Sequence, residues 1–312
     1  MMSSFSKKVH IFFKEQLEEW HLAAKNYEAL KQIKVKAFHY GDFDVKVQFN
    51  PVRLISGSAK IDPQSIRERK CFLCPANRPA EQRSLSFGEN YLILVNPYPI
   101  FPVHLTIPEL NHVNQRIHGR FADMLTMAEA LPDFVVFYNG PKSGASAPDH
   151  MHFQAGNKGF LPLEKDLKFV EKETLFVRKN TQLYTLKNYL RNIFVLESQN
   201  KEDMTSIFEQ IKAMLPRKEG DQEPMMNIVV WYDAGTWTTC IMPRQQHRPS
   251  CFFAEGAENL LISPGTVDLG GVIITPREKD FEKITAATVN TIFKEVCVTD
   301  DVIEMVKQKM DH

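Results

Sequence analysis

The sequence predicts an α+β protein: an N-terminal helix followed by two successive halves built from short strands and isolated helices. Three observations carry this. Apolar residues from Phe5 to Tyr27 recur at helical spacing, and from Val35 the pattern changes to short alternating or apolar runs between turns. The same texture resumes after the charged stretch "LEKDLKFVEKETLFVRK".

Taking the elements in order, Phe5, Val9, Phe12, Phe13, Leu17, Trp20, Ala24 and Tyr27 fall on one face of a helix from about Ser4 to Leu30. "VKAFHYGDFDVKVQFNP" alternates apolar and polar residues as strands do. "YLILVNPYPIFPVHLTIP" gives two neighbouring strands around a proline-punctuated turn, "GRFADMLTMAEAL" a helix, and "DFVVFYN" a strand. In the second half a helix is expected at about Lys201 to Leu215, with strands at "MNIVVWYD", "TWTTCIMP" and "GGVIITP". Helical segments follow Arg277. The expected division is 1–34 for the helix, 35–165 for the first half and 166–312 for the second. A faint echo links "TIPELNH", ending in His112, to "IMPRQQH", ending in His247. The second half has no His-x-His, so a duplication would leave one active copy.

Composition narrows the function. Lys plus Arg and Asp plus Glu each total 38 among 312 residues, so the formal net charge is zero. Non-specific nucleic-acid binding needs a basic excess or stripe, and neither is present. Any phosphate affinity must come from a local site. Five cysteines, an odd number, argue against a disulfide framework. The N-terminal segment has an apolar run of only three residues before charge returns, too short for a signal sequence or a membrane span. A cytoplasmic protein with reduced thiols is expected.

Two stretches carry chemistry. In "CFLCPANRP" the spacing of Cys71 and Cys74 lets both thiolates reach one ion, and Zn²⁺ takes four N or S ligands. The remaining two would come from among His104, His112, His118 and His150. A redox pair or buried thiols are the competing readings. In "NGPKSGASAPDHMHFQAG" an extended "HMHFQ" would put His150, His152 and Gln154 on one face, with Met151 and Phe153 on the other. Gly140 and Gly144 permit tight turns whose amides converge on phosphate, Ser143 and Ser146 add hydroxyls, and Lys142 adds charge. The combination reads as a phosphate cradle beside a histidine nucleophile.

"GASAPDHMHFQ" resembles the active-site signature of the histidine triad (HIT-like) superfamily. It is most similar to the branch holding galactose-1-phosphate uridylyltransferase, diadenosine tetraphosphate phosphorylase (ATP adenylyltransferase) and the GDP-hexose phosphorylases. "CFLCPAN", "VNPYPIFPVHLTIPELNH" and "QFNPVR" extend the resemblance over about Gln48 to Gly156, and "MPRQQHRP" resembles the C-terminal domain of the dinucleoside polyphosphate phosphorylases. The resemblance implies two HIT-like halves, each an antiparallel sheet with packed helices. It makes His152 the nucleophile at an α-phosphorus and His150 a ligand of structural zinc with Cys71, Cys74 and His112. Gln154 would hold the phosphate, with Ser146 and the loop at Lys142, Ser143, Gly144 and Ala145 beside it. Asn77, Asn96 and Arg53 match nucleotide-contacting positions. A homodimer is also implied. Two departures stand: Met151 separates the histidines where the uridylyltransferases have proline, and Asp149 is an additional residue before His150.

The residue types support that chemistry. Imidazole is largely neutral at pH 7 and leaves readily, so a nucleotidyl-histidine divides one displacement into two. Hydrolases of the superfamily carry a third histidine at the Gln154 position; glutamine cannot pass a proton to a leaving group at neutral pH. Transfer to phosphate, a sugar phosphate or a nucleotide is therefore expected over hydrolysis. The expected partners are a nucleotide and such an acceptor, with no organic cofactor, polymeric nucleic acid or membrane. A dinucleoside polyphosphate phosphorylase is the leading expectation, a GDP- or UDP-sugar phosphorylase or hexose-1-phosphate nucleotidyltransferase the alternative. A non-catalytic, zinc-stabilised nucleotide-binding protein is the competing class. Arg244, His247 and Arg248 read equally as a distal phosphate or sugar site and as a solvated basic turn.

Overall fold

The computed structural model describes residues 3–54 and 62–310. The strands are β1 (Lys34–Tyr40), β2 (Phe43–Phe49), β3 (Leu85–Phe87), β4 (Tyr91–Val95), β5 (His104–Pro108), β6 (Phe134–Asn139) and β7 (His152–Asn157). The second half supplies β8 (Lys172–Arg178), β9 (Thr181–Leu186), β10 (Phe194–Ser198), β11 (Met226–Asp233), β12 (Thr236–Pro243) and β13 (Val272–Thr275). Ten of them form one sheet in the order β3-β4-β5-β7-β6-β11-β12-β10-β9-β8.

That order contains a repeat. Strands β3, β4 and β5, the helix Phe121–Ala130, and β6 and β7 are matched by β8, β9 and β10, the helix Lys201–Met214, and β11 and β12. The halves meet where β6 pairs antiparallel with β11, with Asn139 opposite Asn227. The fold is thus α+β with two equivalent halves in one sheet. The echoing segments are not equivalent within it. "TIPELNH" leaves β5, whose counterpart is β10, whereas "IMPRQQH" leaves β12, the counterpart of β7.

Both sheet faces are covered, which explains why the central strands read as near-continuous apolar runs. Val136, Tyr138, Phe153, Ile228 and Val230 pack toward the helices of one face. Val135, Phe137, Val229 and Trp231 pack on the other, against Val45 and Val47 of β2 and Phe293 of the helix Ala286–Val296. Each such side chain contributes about 1.5–3 kcal/mol on full burial. A small sheet, β1-β2-β13, completes the second face; β13 runs parallel to β2, with Val272 opposite Lys46. This pairing joins the expected first and second halves, and position 165/166 falls inside the helix Pro162–Asp166.

Two expectations need correcting. The N-terminal segment is two helices, Ser4–Glu19 and His21–Leu30, joined at Trp20 with φ −110° and ψ 90°. No proline or glycine marks this break; Trp20 is only 4 % exposed, and its indole packs into the core. Strand β7 begins at His152, so His150 lies in the preceding turn, its N–H on the carbonyl of Ala147 at 3.1 Å. That turn releases the His150 ring from the face shared by His152 and Gln154. No helix among the described residues is long and apolar enough to cross a membrane.

Candidate active site

His152 opens β7 and is 3 % exposed. Its Nδ1 lies 2.8 Å from the carbonyl oxygen of His150. A carbonyl only accepts, so Nδ1 carries the proton and Nε2 of the neutral ring keeps its lone pair. Burial pushes the imidazole pKa down to about 4; the His150 carbonyl opposes this and the His150 charge adds to it. A neutral, oriented imidazole with one free nitrogen is what nucleophilic attack requires.

Gln154, two residues on, shares that face. Its Oε1 lies 3.0 Å from Nε2 of His104 on the adjacent β5. His104 Nδ1 accepts from the N–H of Ile100 at 3.1 Å, so Nε2 is the protonated nitrogen and donates to Gln154. The amide is thereby fixed with its NH2 group away from His104. His104 stays neutral because burial, with Arg53 adding to it, lowers its pKa to about 3 against the Gln154 hydrogen bond. Beside it, Asn96 Nδ2 donates to Thr106 Oγ1 at 3.0 Å.

The glycine loop follows β6. Ser143 N–H closes a turn on the carbonyl of Gly140 at 2.8 Å, and Gly144 has φ +96°. A Cβ at Gly144 would stand 2.9 Å from Gly265 Cα and 3.0 Å from the Pro264 carbonyl oxygen. Both the backbone angle and this close approach require glycine. Among the described residues, the N–H groups of Gly144, Ala145 and Ser146 meet no protein acceptor.

The second half holds the loop from behind. Asn227 Nδ2 donates to Asn139 Oδ1 at 2.8 Å and to the Ser143 carbonyl at 2.7 Å, and Thr266 N–H donates to Asn139 Oδ1 at 2.8 Å. Arg244 is buried and structural: Nη1 donates to Asn227 Oδ1 at 3.1 Å and to the Pro264 carbonyl at 2.6 Å. Its Nη2 holds the carbonyl of Gln246 at 3.1 Å, fixing the turn that carries His247 and Arg248.

These groups surround a cavity of about 440 Å³. Its lining includes the apolar residues Trp20, Leu22, Phe72, Leu73 and Leu94. His152, Gln154, Ser146 and the loop also line it, together with the polar and charged Arg53, His247, Arg248, Ser263 and Asp268. Arg53 Nη1 donates to the Tyr98 carbonyl at 2.8 Å, and burial lowers its pKa to about 10 while Asp268 draws it up. Arg248 Nε donates to Ser263 Oγ at 3.0 Å with its guanidinium 4.1 Å from the Phe252 ring centre. Burial, aided by Arg248 and Arg244, lowers the His247 pKa to about 3.

Close by, Cys71, Cys74, His112 and His150 present ligand atoms within 4.8 Å of one another. Cys71 Sγ lies 3.3 Å from His150 Nδ1, and Cys74 Sγ lies 3.1 Å from His112 Nδ1. A tetrahedral site with bonds of about 2.3 Å to sulfur and 2.0 Å to nitrogen spaces S and N about 3.5 Å apart, so the donors fit a metal. The outer nitrogen of His150 is held as a ligating histidine requires: Nε2 donates to the Glu109 carbonyl at 2.8 Å. His112 Nε2 faces Asp149 Oδ2 at 3.8 Å, and Asp149 also pairs with Arg69. His104 and His118 are not part of this group.

Not every expected residue reaches the cavity. Asn77 Nδ2 is committed to the Cys71 carbonyl at 2.9 Å, bracing the cysteine turn. Lys142 points away to Asp221, and Ser143 is buried beneath the loop. Conversely, sequence reading missed His104 as the partner of Gln154, Trp20 and Leu22 as walls, and Gln115, whose amide contacts the His152 backbone. His104 lies in the quoted "VNPYPIFPVHLTIPELNH", but its pairing with Gln154 and the placement of the other three come only with the fold.

Residues 12–157 match a family model described as a domain of unknown function (DUF4922), and residues 167–312 match the GDPGP1-like C-terminal domain. No curated protein matches the chain. Among solved structures, yeast Ap4A phosphorylase in complex with Ap4A matches with a TM-score of 0.60 at 17% identity, covering 91% of this chain and 97% of that one. Its complex with AMP matches with a TM-score of 0.58 at 16% identity, covering 90% and 96%. The chain therefore has the α+β fold of yeast Ap4A phosphorylase, with its two halves in one sheet. Within that fold, it is the second half that is similar to the GDPGP1-like C-terminal domain.

Proposed function

We propose that this protein is a phosphorylase-type nucleotidyltransferase, cleaving a nucleoside polyphosphate at the α-phosphorus through a nucleotidyl-His152 intermediate. The observation that carries the reading is the His152 ring, neutral, locked through Nδ1 on the His150 carbonyl and lining the cavity beside Gln154. His152 Nε2 attacks phosphorus, forming an N–P bond as the P–O bond to the leaving group breaks. The carbonyl of His150 then faces an imidazolium and stabilises it. In the second step an acceptor oxygen attacks phosphorus and the N–P bond breaks, restoring the neutral ring.

Charge gathering on the phosphoryl oxygens is met by the Gln154 amide, Ser146 and the amides of Gly144 and Ala145. Because Gln154 supplies no proton, acceptor and leaving groups of low basicity are favoured, phosphate and phosphate esters before water. The apolar lining residues Trp20, Leu22, Phe72 and Leu73 suit a nucleoside base, and Asn96 adds a polar group to the same lining. Arg53, Arg248 and His247 suit the distal phosphate or the acceptor. The proposed metal is zinc, held by Cys71, Cys74, His112 and His150; it would tie the cysteine turn to the turn before β7, a structural task.

A dinucleoside polyphosphate is the leading substrate. Phosphorolysis of a nucleotide sugar is the second reading, favoured by Ser263 and Asp268, whose oxygens suit sugar hydroxyls. A screen of dinucleoside polyphosphates and nucleotide sugars, each with and without inorganic phosphate, tests both. Phosphate-dependent release of a nucleoside diphosphate supports the proposal; equal cleavage without phosphate contradicts it.

A further inference from the structure

Strands β6 and β7 pair from Phe134 opposite Asn157 to Phe137 opposite Gln154. Continued, that register would set Asn139 opposite His152, but there the strands part so that the glycine loop can flare away. The gap is filled by a side chain from a third segment. Gln115 Oε1 accepts from the His152 N–H at 2.8 Å, and its Nε2 donates to the carbonyls of His152 at 3.0 Å and Asn139 at 2.9 Å. A primary amide offers the donor and acceptor types of a peptide group, so it can stand in for a missing rung of a β-ladder. Gln115 is 1 % exposed and its own N–H bonds to the Pro148 carbonyl at 3.1 Å, so the rung is fixed at both ends.

We propose that Gln115 is a positioning residue for the nucleophile: it sets the separation between His152 and the glycine loop and fixes the backbone from which the imidazole projects. Its amide uses one acceptor and both donor hydrogens on the two residues flanking the split, His152 and Asn139. Asn139 is also the residue whose Oδ1 collects Asn227 and Thr266 from the second half. One side chain thus joins the nucleophile to the network that supports the phosphate loop. This inference rests on the reading of His152 as nucleophile.

The test uses the full-length, metal-loaded protein with Q115M, which keeps side-chain length but offers no comparable hydrogen bonds, and Q115E. Single-turnover formation of the His152 adduct should fall at least about ten-fold in Q115M, with KM for the nucleotide changed less than about three-fold and metal content unchanged. A buried carboxyl between carbonyls favours its protonated form, which alone can both accept from His152 N–H and donate to a carbonyl. The adduct-formation rate of Q115E relative to wild type should therefore rise as pH falls from about 8 to about 6. A wild-type rate in Q115M, or a Q115E ratio independent of pH, overturns the proposal. If Q115M does not fold, the Q115E profile decides. If the wild type forms no adduct, the nucleophile reading fails instead, and hydrogen exchange at the His152 amide in Q115E still tests the clamp. Exchange about ten-fold faster than wild type at about pH 8 sustains it, and unchanged exchange overturns it.

Discussion

His104 donates from Nε2 to Gln154 Oε1 at 3.0 Å, and so decides which end of the Gln154 amide faces the cavity. An amide left to rotate has a second orientation that presents its oxygen to phosphate, opposing the charge that the proposed reaction gathers there. Replacing His104 by Phe keeps the ring but removes that control. The expected outcome is a fall in kcat of about 10- to 100-fold, in the range of small misplacements of a catalytic group. Steady-state kinetics check it; an unchanged kcat in a folded H104F protein contradicts the role.

Gly144 lies at φ +96° against the backbone of Pro264 and Gly265. Gly144→Ala should destabilise the protein by about 1–3 kcal/mol, the usual scale of such strain, and weaken nucleotide binding as the loop shifts. Urea melts and nucleotide titration measure the two effects. Wild-type values for both would show that the loop tolerates a side chain.

The pH behaviour has a definite sign. His152 has a folded pKa lowered to about 4 by burial, against about 6.5 in an unfolded chain. Between those values the unfolded state binds the extra proton, so stability falls as pH is lowered from about 6.5 toward 4. His104 and His247, each lowered to about 3 mainly by burial, act in the same direction. Catalysis should lose its nucleophile only near pH 4. NMR titration of the labelled imidazoles reads this directly, and a His152 ionisation near 6.5 contradicts it.

Removing the metal should loosen the turn before His152 and the segment from Glu109 to Gln115, which are hydrogen-bonded together. Chelation is expected to lower the melting temperature and to speed hydrogen exchange in both segments, with recovery on adding zinc. His112→Ala should mimic chelation. One metal equivalent per chain, lost in H112A, is the expected analysis; an unchanged wild-type metal content in H112A contradicts the ligand set.

Much of this was legible because local pattern and structure agree. The apolar runs of Phe134–Asn139, Met226–Asp233 and Thr236–Pro243 gave the central strands, since burial on both sheet faces leaves such a signature. The Cys-x-x-Cys and His-x-His spacings marked the two clusters, because metal and phosphate chemistry need particular residue types close in sequence. What was not legible depends on long-range placement. His104 stands one strand from Gln154, Gln115 reaches His152 across 37 positions, and Trp20 breaks a helix for reasons found only in the core. The repeat of two halves is clear in strand order, while the short echo between His112 and His247 joins strands that are not counterparts.

A covalent nucleotidyl-His152 intermediate separates the proposed chemistry from simple nucleotide binding. Wild type and His152→Ala, incubated with a dinucleoside tetraphosphate or a nucleotide sugar and quenched in base, can be compared by intact mass. The expected result is one nucleoside monophosphate added to the wild type, mapping to His152 and discharged by phosphate, with none on H152A. No adduct with any substrate, or an equal adduct on both proteins, would contradict it.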